Sequence, residues 1–145
     1  MIEKIKALCV KHREIIVYII VGGLTTVVSW AVKFLFNFLV FDATAHPTSI
    51  QNTVLSVVEN AAGIAFAYPT NRKWVFRSRN PNILAEAGSF VGSRLVTMLL
   101  GWLLNLLIVN VLGFNVYVGT VVSAVFVVVG NYIISKLFVF KKDQA

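Results

Sequence analysis

Four long apolar runs, each carrying a single charge, constrain this chain more than any other feature. Between Ile15 and Phe41 the only charged residue is Lys33. Between Ile50 and Tyr68 it is Glu59, between Ala87 and Val111 it is Arg94, and between Val116 and Phe140 it is Lys136. About 20 apolar residues suffice for a helix to cross a bilayer, so these runs predict an all-α integral membrane protein with four transmembrane helices. Composition agrees: 58% of residues are hydrophobic and 13% are charged, where a soluble domain carries about a quarter charged. The whole chain, 1–145, reads as a single membrane domain.

The basic residues fix an expected orientation. Lys4, Lys6, Lys11 and Arg13 precede the first run, and Arg72, Lys73, Arg77 and Arg79 lie in the middle loop, 69–86. Lys141 and Lys142 follow the last run. The turns at 42–49 and 112–115 hold no lysine or arginine. Cytoplasmic loops are the ones that collect lysine and arginine, so both termini and the middle loop are expected in the cytoplasm. The net charge of +7 is this topology signal, which removes nucleic acid as the expected partner. Residues 1–14 read as a basic amphipathic interfacial helix suited to anionic inner-leaflet lipids, or as a flank that only sets orientation. The first apolar run is too long for a signal peptide's hydrophobic region of about 7–15 residues. Pro69 is expected to end the second span, because proline disfavours helix in the residue before it.

The second and fourth spans end alike. Tyr68-Pro-Thr-Asn-Arg-Lys-Trp-Val-Phe-Arg77 aligns without gaps on Tyr132-Ile-Ile-Ser-Lys-Leu-Phe-Val-Phe-Lys141. Two helical hairpins arranged as parallel repeats are the favoured reading; the alternative is that any helix leaving a bilayer ends in an aromatic belt and a cation.

A charge inside a spanning helix costs about 2.5–3.5 kcal/mol on insertion scales, so each needs a partner, a wet cavity or a task. Lys33 and Glu59 are equally far in sequence from His46, at the centre of the turn joining their helices. They are expected at similar depth, where an ion pair would serve either hairpin insertion or function, and Asn60 would extend the polar site. Arg72, Arg94 and Lys136, gathered near one interface, would suit a phosphate, since arginine binds it through parallel hydrogen bonds; snorkelling to the headgroups is the alternative, and it fits Lys136 better than Arg94. Asn131 is expected near the depth of Arg94. Cys9 stands alone, so no internal disulfide forms, and His12 and His46 lack further ligands at metal-binding spacing. No nucleophile set, paired carboxylates or phosphate-cradling glycine loop occurs, so an enzyme is not expected and no cofactor is implied.

Asn71-Arg72-Lys73-Trp74-Val75-Phe76, Gly22-Gly23-Leu24-Thr25-Thr26, and Asn131-Tyr132 followed by Lys136 and Phe138-Val139-Phe140 resemble the GtrA-like family of small bacterial membrane proteins. The resemblance spans about residues 15–141. Thr25 stands where that family often has asparagine, and Lys136 where it often has arginine. The resemblance implies translocation of a polyprenyl-phosphate-linked sugar across the bacterial cytoplasmic membrane for cell-surface polysaccharide synthesis. Arg72, Arg94 and Lys136 would then hold the phosphate. Lys33, Glu59, Asn60 and Asn131 would form the sugar-binding or intramembrane polar site. Trp30, Trp74 and Trp102 are candidates for sugar stacking, with belt or packing roles as the alternative. Two other functions stay open: a scaffold recruiting a membrane glycosyltransferase, and a proton-coupled exporter of small cations. A homo-oligomer is expected, because one chain this short encloses little volume for a sugar pathway.

Overall fold

The computed structural model describes residues 12–140, and its elements are helices joined by short turns. Helix α1 spans Arg13–Val40. Helix α2 spans Ser49–Thr70 and continues as a π-helical turn, Asn71–Val75. Helix α3 spans Ile83–Leu106 and widens into a π turn at Leu107–Val111. Helix α4 spans Val116–Ile134 and ends in a π turn at Ser135–Val139. Three stretches are long and apolar enough to cross a membrane: Arg13–Val40, Ile83–Val111 and Val116–Val139. Helix α2 has the length, at 22 residues, but Asn52, Ser56, Glu59 and Asn60 dilute its apolar character.

Local chemistry sets where the helices begin. Thr48 caps α2 through a reciprocal box: its hydroxyl accepts from the Gln51 N–H, and the Gln51 side chain accepts from the Thr48 N–H. This satisfies two of the donors that a helix start leaves without partners. Asn82 caps α3 through the Ala85 N–H, and Asn115 caps α4 through the Tyr117 N–H.

The chain divides into two compact units at the junction of Arg77 and Ser78. In the first, α1 and α2 form a hairpin closed by residues 41–48. Asp42 and Ala43 both take left-handed backbone there, at φ 51° and 56°. The Asn37 amide holds the turn by donating to the Thr44 carbonyl at 3.1 Å. In the second unit, α3 and α4 form a hairpin closed by 112–115, and the left-handed position is a glycine, Gly113.

Each hairpin closes on small residues, which let backbones approach where no hydrophobic force drives helix association. A Cβ on Gly63 would stand 2.6 Å from the Ser29 hydroxyl. A Cβ on Gly101 would strike Val127. At the opposite end from the turn, Tyr18 meets Phe76 at 6.4 Å between ring centres, and Phe90 meets Phe140 at 5.8 Å. These contacts are equivalent. Tyr18 and Phe90, like Ser29 and Gly101, lie 72 positions apart, while Phe76 and Phe140, like Gly63 and Val127, lie 64 apart. The π turns Asn71–Val75 and Ser135–Val139 fall at the same 64-residue offset.

Three sequence expectations change. Pro69 does not end α2; it sits inside the helix. Its missing N–H frees the Ala65 carbonyl, and side chains just after it add hydrogen bonds to the next two carbonyls of that turn. The Thr70 hydroxyl donates to the Phe66 carbonyl at 2.6 Å and the Asn71 amide to the Ala67 carbonyl at 2.7 Å. Polar side chains of this kind are how helices in membranes tolerate proline. The middle loop is consequently shorter than 69–86, since helix resumes at Ile83. The third helix also starts a turn before Ala87, at its Asn82 cap. The expected interfacial helix, 1–14, and the basic tail after Phe140 lie mostly or wholly outside the described residues.

Candidate functional site

In the first hairpin, Lys33 and Glu59 meet. Lys33 Nζ donates to Glu59 Oε2 at 2.7 Å, with the two side chains 28% and 24% exposed. The pair lies about three-quarters of the way along α1 and half-way along α2, one turn from the Gly63–Ser29 approach. Asn60 points outward, its amide donating to the Ser56 carbonyl at 2.8 Å. Arg72 occupies the π turn that follows α2, where its guanidinium donates to the Tyr68 hydroxyl at 3.3 Å. Arg13, at the start of α1, donates to the Trp74 carbonyl at 3.0 Å. The hairpin therefore gathers its described cations other than Lys33 at the end opposite its turn.

In the second hairpin, Arg94 lies two to three turns into α3. Its guanidinium sits 4.6 Å above the centre of the Phe90 ring. Phe90 is fully buried, so the ring that carries the guanidinium is itself fixed. Lys136, in the last π turn, lies 5.4 Å from the Tyr132 ring and donates to its hydroxyl at 3.2 Å. All three predicted phosphate cations thus follow an aromatic residue by four positions: Tyr68 and Arg72, Phe90 and Arg94, Tyr132 and Lys136. Residues four apart are neighbours on a helix surface, and an aromatic face attracts a cation by about 0.5–2 kcal/mol. Asn131 faces the buried Thr97, whose hydroxyl is 2.5 Å from Asn131 Oδ1 and 3.0 Å from the Ser93 carbonyl. One hydroxyl proton cannot serve both acceptors. A flipped Asn131 amide would donate to the hydroxyl while that proton goes to Ser93.

The structure brings together Lys33 with Glu59. It places Asn60 beside them and Asn131 in the other hairpin, against Thr97. Arg72 belongs to the first hairpin, and Arg94 and Lys136 to the second. Trp30, Trp74 and Trp102 are exposed on their own hairpins.

Sequence reasoning missed Phe90, Thr97 and two buried polar groups. Asn71 Oδ1 and Ser135 Oγ are buried without a hydrogen-bond partner, and they open the matching π turns. It also missed Glu86, which is buried at the start of α3 and accepts a hydrogen bond from Ser78 in the loop. The signal was present at the 72-residue offset, which pairs Glu14 with Glu86, Thr25 with Thr97 and Trp30 with Trp102.

Helices of this length and apolar character, closed by small residues and with their outer faces left apolar, define an integral membrane protein. Residues 17–140 match the GtrA/DPMS transmembrane domain, and the chain belongs to that family. It is 34% identical over 131 residues to the cell wall teichoic acid glycosylation protein GtcA of Listeria innocua, covering 88% of this chain and 85% of that one. The protein of the same name from Listeria monocytogenes is 33% identical over 135 residues, with the same coverage. The uncharacterized membrane protein YwcD of Bacillus subtilis is 27% identical over 130 residues, covering 88% of this chain and 96% of that one. No solved structure gives a significant match.

Proposed function

We propose that this protein moves a polyprenyl-phosphate-linked sugar across the bacterial cytoplasmic membrane to supply glycosylation of a cell-surface polymer. Membership of the GtrA/DPMS family and the glycosylation role in the names of its Listeria relatives support a lipid-linked sugar as the substrate class. The observation that carries the reading is Arg94, a guanidinium set within an apolar helix and braced by a buried ring. An intramembrane charge of this cost marks a ligand path by default, and a lipid phosphate is the anion that reaches such a depth.

In this proposal α2 also crosses the bilayer, giving four spans. The cationic end of each hairpin faces the cytoplasm, as the lysine and arginine distribution favours. Arg72, Arg94 and Lys136 serve the phosphate. Asn131, with Thr97, serves the sugar, and Lys33, Glu59 and Asn60 form the intramembrane polar site. The protein acts as a carrier and breaks no covalent bond.

Binding of polyprenyl-phosphate-glucose to the purified full chain tests this. Saturable binding is expected, weakened at least about tenfold in Arg94→Gln, the equivalent of about 1.4 kcal/mol. A folded wild type that binds no lipid-linked sugar would leave the protein as a scaffold for a glycosyltransferase.

A further inference from the structure

The shared register makes the second hairpin a control for what the first one needs. By the 72- and 64-residue offsets, Lys33 corresponds to Asn105 and Glu59 to Ser123. Both hairpins make their close approach one turn away, at Gly63–Ser29 and Gly101–Val127. Neutral residues therefore suffice to close such a hairpin, and the ion pair of the first is not required by the fold.

The pair also lies at the end of a path. Ser49, Asn52, Thr53, Ser56, Glu59 and Asn60 recur at three- and four-residue spacing, which places them along one stripe of α2. Thr53, Ser56 and Asn60 turn their donors into the helix, onto the Ser49, Asn52 and Ser56 carbonyls. Their oxygens are left to accept hydrogen bonds from water. Beyond Glu59 the stripe continues as Gly63, Phe66 and Ala67, and its polarity stops. The path therefore runs about 15 Å, from the N-terminal end of α2 to the carboxylate, at 1.5 Å per residue. In α4 the positions matching Asn52 to Asn60 are Val116, Tyr117, Thr120, Ser123 and Ala124. Ser49, Asn52, Thr53 and Asn60 are exposed on the hairpin and Ser56 and Glu59 half-buried, and hydrocarbon cannot solvate such a stripe, so it requires water or protein against it.

We propose that Glu59 is a proton-binding group through which lipid movement is exchanged for a proton. The inference rests on the transport reading above. A proton from water at the N-terminal end of α2 adds to Glu59 Oε2 and makes a neutral carboxylic acid. Lys33 keeps its own protons and loses its partner, so a neutral pair becomes a lone cation inside the hairpin, and α1 and α2 repack around that charge. When the pair re-forms in the repacked hairpin, the proton leaves to water at the opposite end of α2, toward Arg72, so one proton crosses per cycle. The stripe opens at the turn end of the hairpin, while the phosphate cation Arg72 sits at the opposite end of the same hairpin. The two loads thus enter from opposite faces, as exchange requires. Other charged or titratable groups on elements packed against Glu59 are Asp42 and His46 in the turn, and Arg13, Glu14, Tyr18, Arg72 and Lys73 toward the other end. Among the described residues, Lys33 is its ion-pair partner.

The full chain in vesicles containing polyprenyl-phosphate-glucose gives the test, with a pH difference imposed and the membrane potential clamped to zero. An impermeant sugar-binding lectin reads the leaflet. One proton per lipid predicts about tenfold enrichment on the acid side per pH unit, whichever way the protein is inserted. Glu59→Gln should leave the lipid evenly distributed. The double variant Lys33→Asn, Glu59→Ser should do the same, and its residues are those the second hairpin already folds around. Lipid that crosses in the wild type but ignores the pH difference overturns the coupling and leaves the transport reading standing. A wild type that moves no lipid overturns both. Infrared spectroscopy of the purified protein in lipid adds an arm that needs no substrate. A carboxylic-acid band should appear on acidification of the wild type and be missing from Glu59→Gln; its absence from the wild type overturns the proposal.

Discussion

The two hairpins solve one packing problem with different chemistry. Both bring their helices together where a small residue meets a larger one, but the small residue changes sides. At the matched level the first hairpin has its glycine on the second helix, Gly63, facing Ser29, and the second has it on the first helix, Gly101, facing Val127; the second hairpin adds Gly119 on its second helix, against Val109. One turn from that point the first hairpin carries Lys33 and Glu59, and the second carries Asn105 and Ser123. At the foot, both are clamped by an aromatic pair and a widened turn. The lesson is that the backbone arrangement depends on the fit of small against large. The charges are an addition to one copy.

This comparison breaks most sharply at the ion pair. Glu59→Ala alone leaves the half-buried Lys33 ammonium within the span without its carboxylate and should cost about 3 kcal/mol. Lys33→Asn with Glu59→Ser should cost less than either single change, because no charge is left behind. Reversible unfolding in lipid, taken around the double-mutant cycle, gives the coupling energy. A cycle with no coupling would mean that the pair contributes nothing to the hairpin.

The close approaches come next. Gly101→Ala forces a methyl group into Val127, a branched side chain with little freedom, and should destabilise by about 1–3 kcal/mol. Val127→Ala in the same chain should recover most of that loss. Gly63→Ala meets only the Ser29 hydroxyl, which can rotate away, so a smaller cost is expected. Equal costs at the two glycines, measured by the same unfolding assay, would remove the distinction drawn between them.

The smallest effect separates the turns. Ala43 adopts a left-handed backbone that an alanine enters at a cost of about 1 kcal/mol, whereas the second turn uses Gly113. Ala43→Gly should therefore raise stability by a few tenths to about 1 kcal/mol, and Gly113→Ala should lower it by a similar amount, both read from unfolding midpoints.

Much of this was legible in the sequence, and for identifiable reasons. Long runs with one charge each reveal membrane helices, because hydrocarbon tolerates so few polar groups. The Lys33–Glu59 pair could be anticipated, because equal distance from His46 puts two oppositely charged groups at one depth of a hairpin. The repeat showed in Tyr68 and Tyr132, where consecutive residues match. On α1 and α3 it was hidden, because matched positions there preserve a fit rather than an identity: Tyr18 becomes Phe90 and Ser29 becomes Gly101. Pro69 misled because the bias against helix in the residue before a proline is a local preference that surrounding structure can override. Here Thr70 and Asn71, the next two residues, supply side-chain donors to the neighbouring carbonyls. The bracing of Arg94 by Phe90 follows a four-residue spacing that sequence displays, but burial of the ring is a property of the packed hairpin.

The π turns carry a consequence about ancestry. A π turn holds one more residue than the α turn it replaces, so it amounts to a one-residue insertion in a helix. Asn71–Val75 and Ser135–Val139 carry this insertion at the same place, in segments that align without a gap. An insertion common to both halves is most simply one that was present before the halves became two. Leu107–Val111 has no counterpart, since the matching stretch of α1 is regular helix, and so it belongs to the time after. If the halves arose by duplication, the widened turn at the foot would have been part of the hairpin that was copied, one able to close upon itself before a second copy existed.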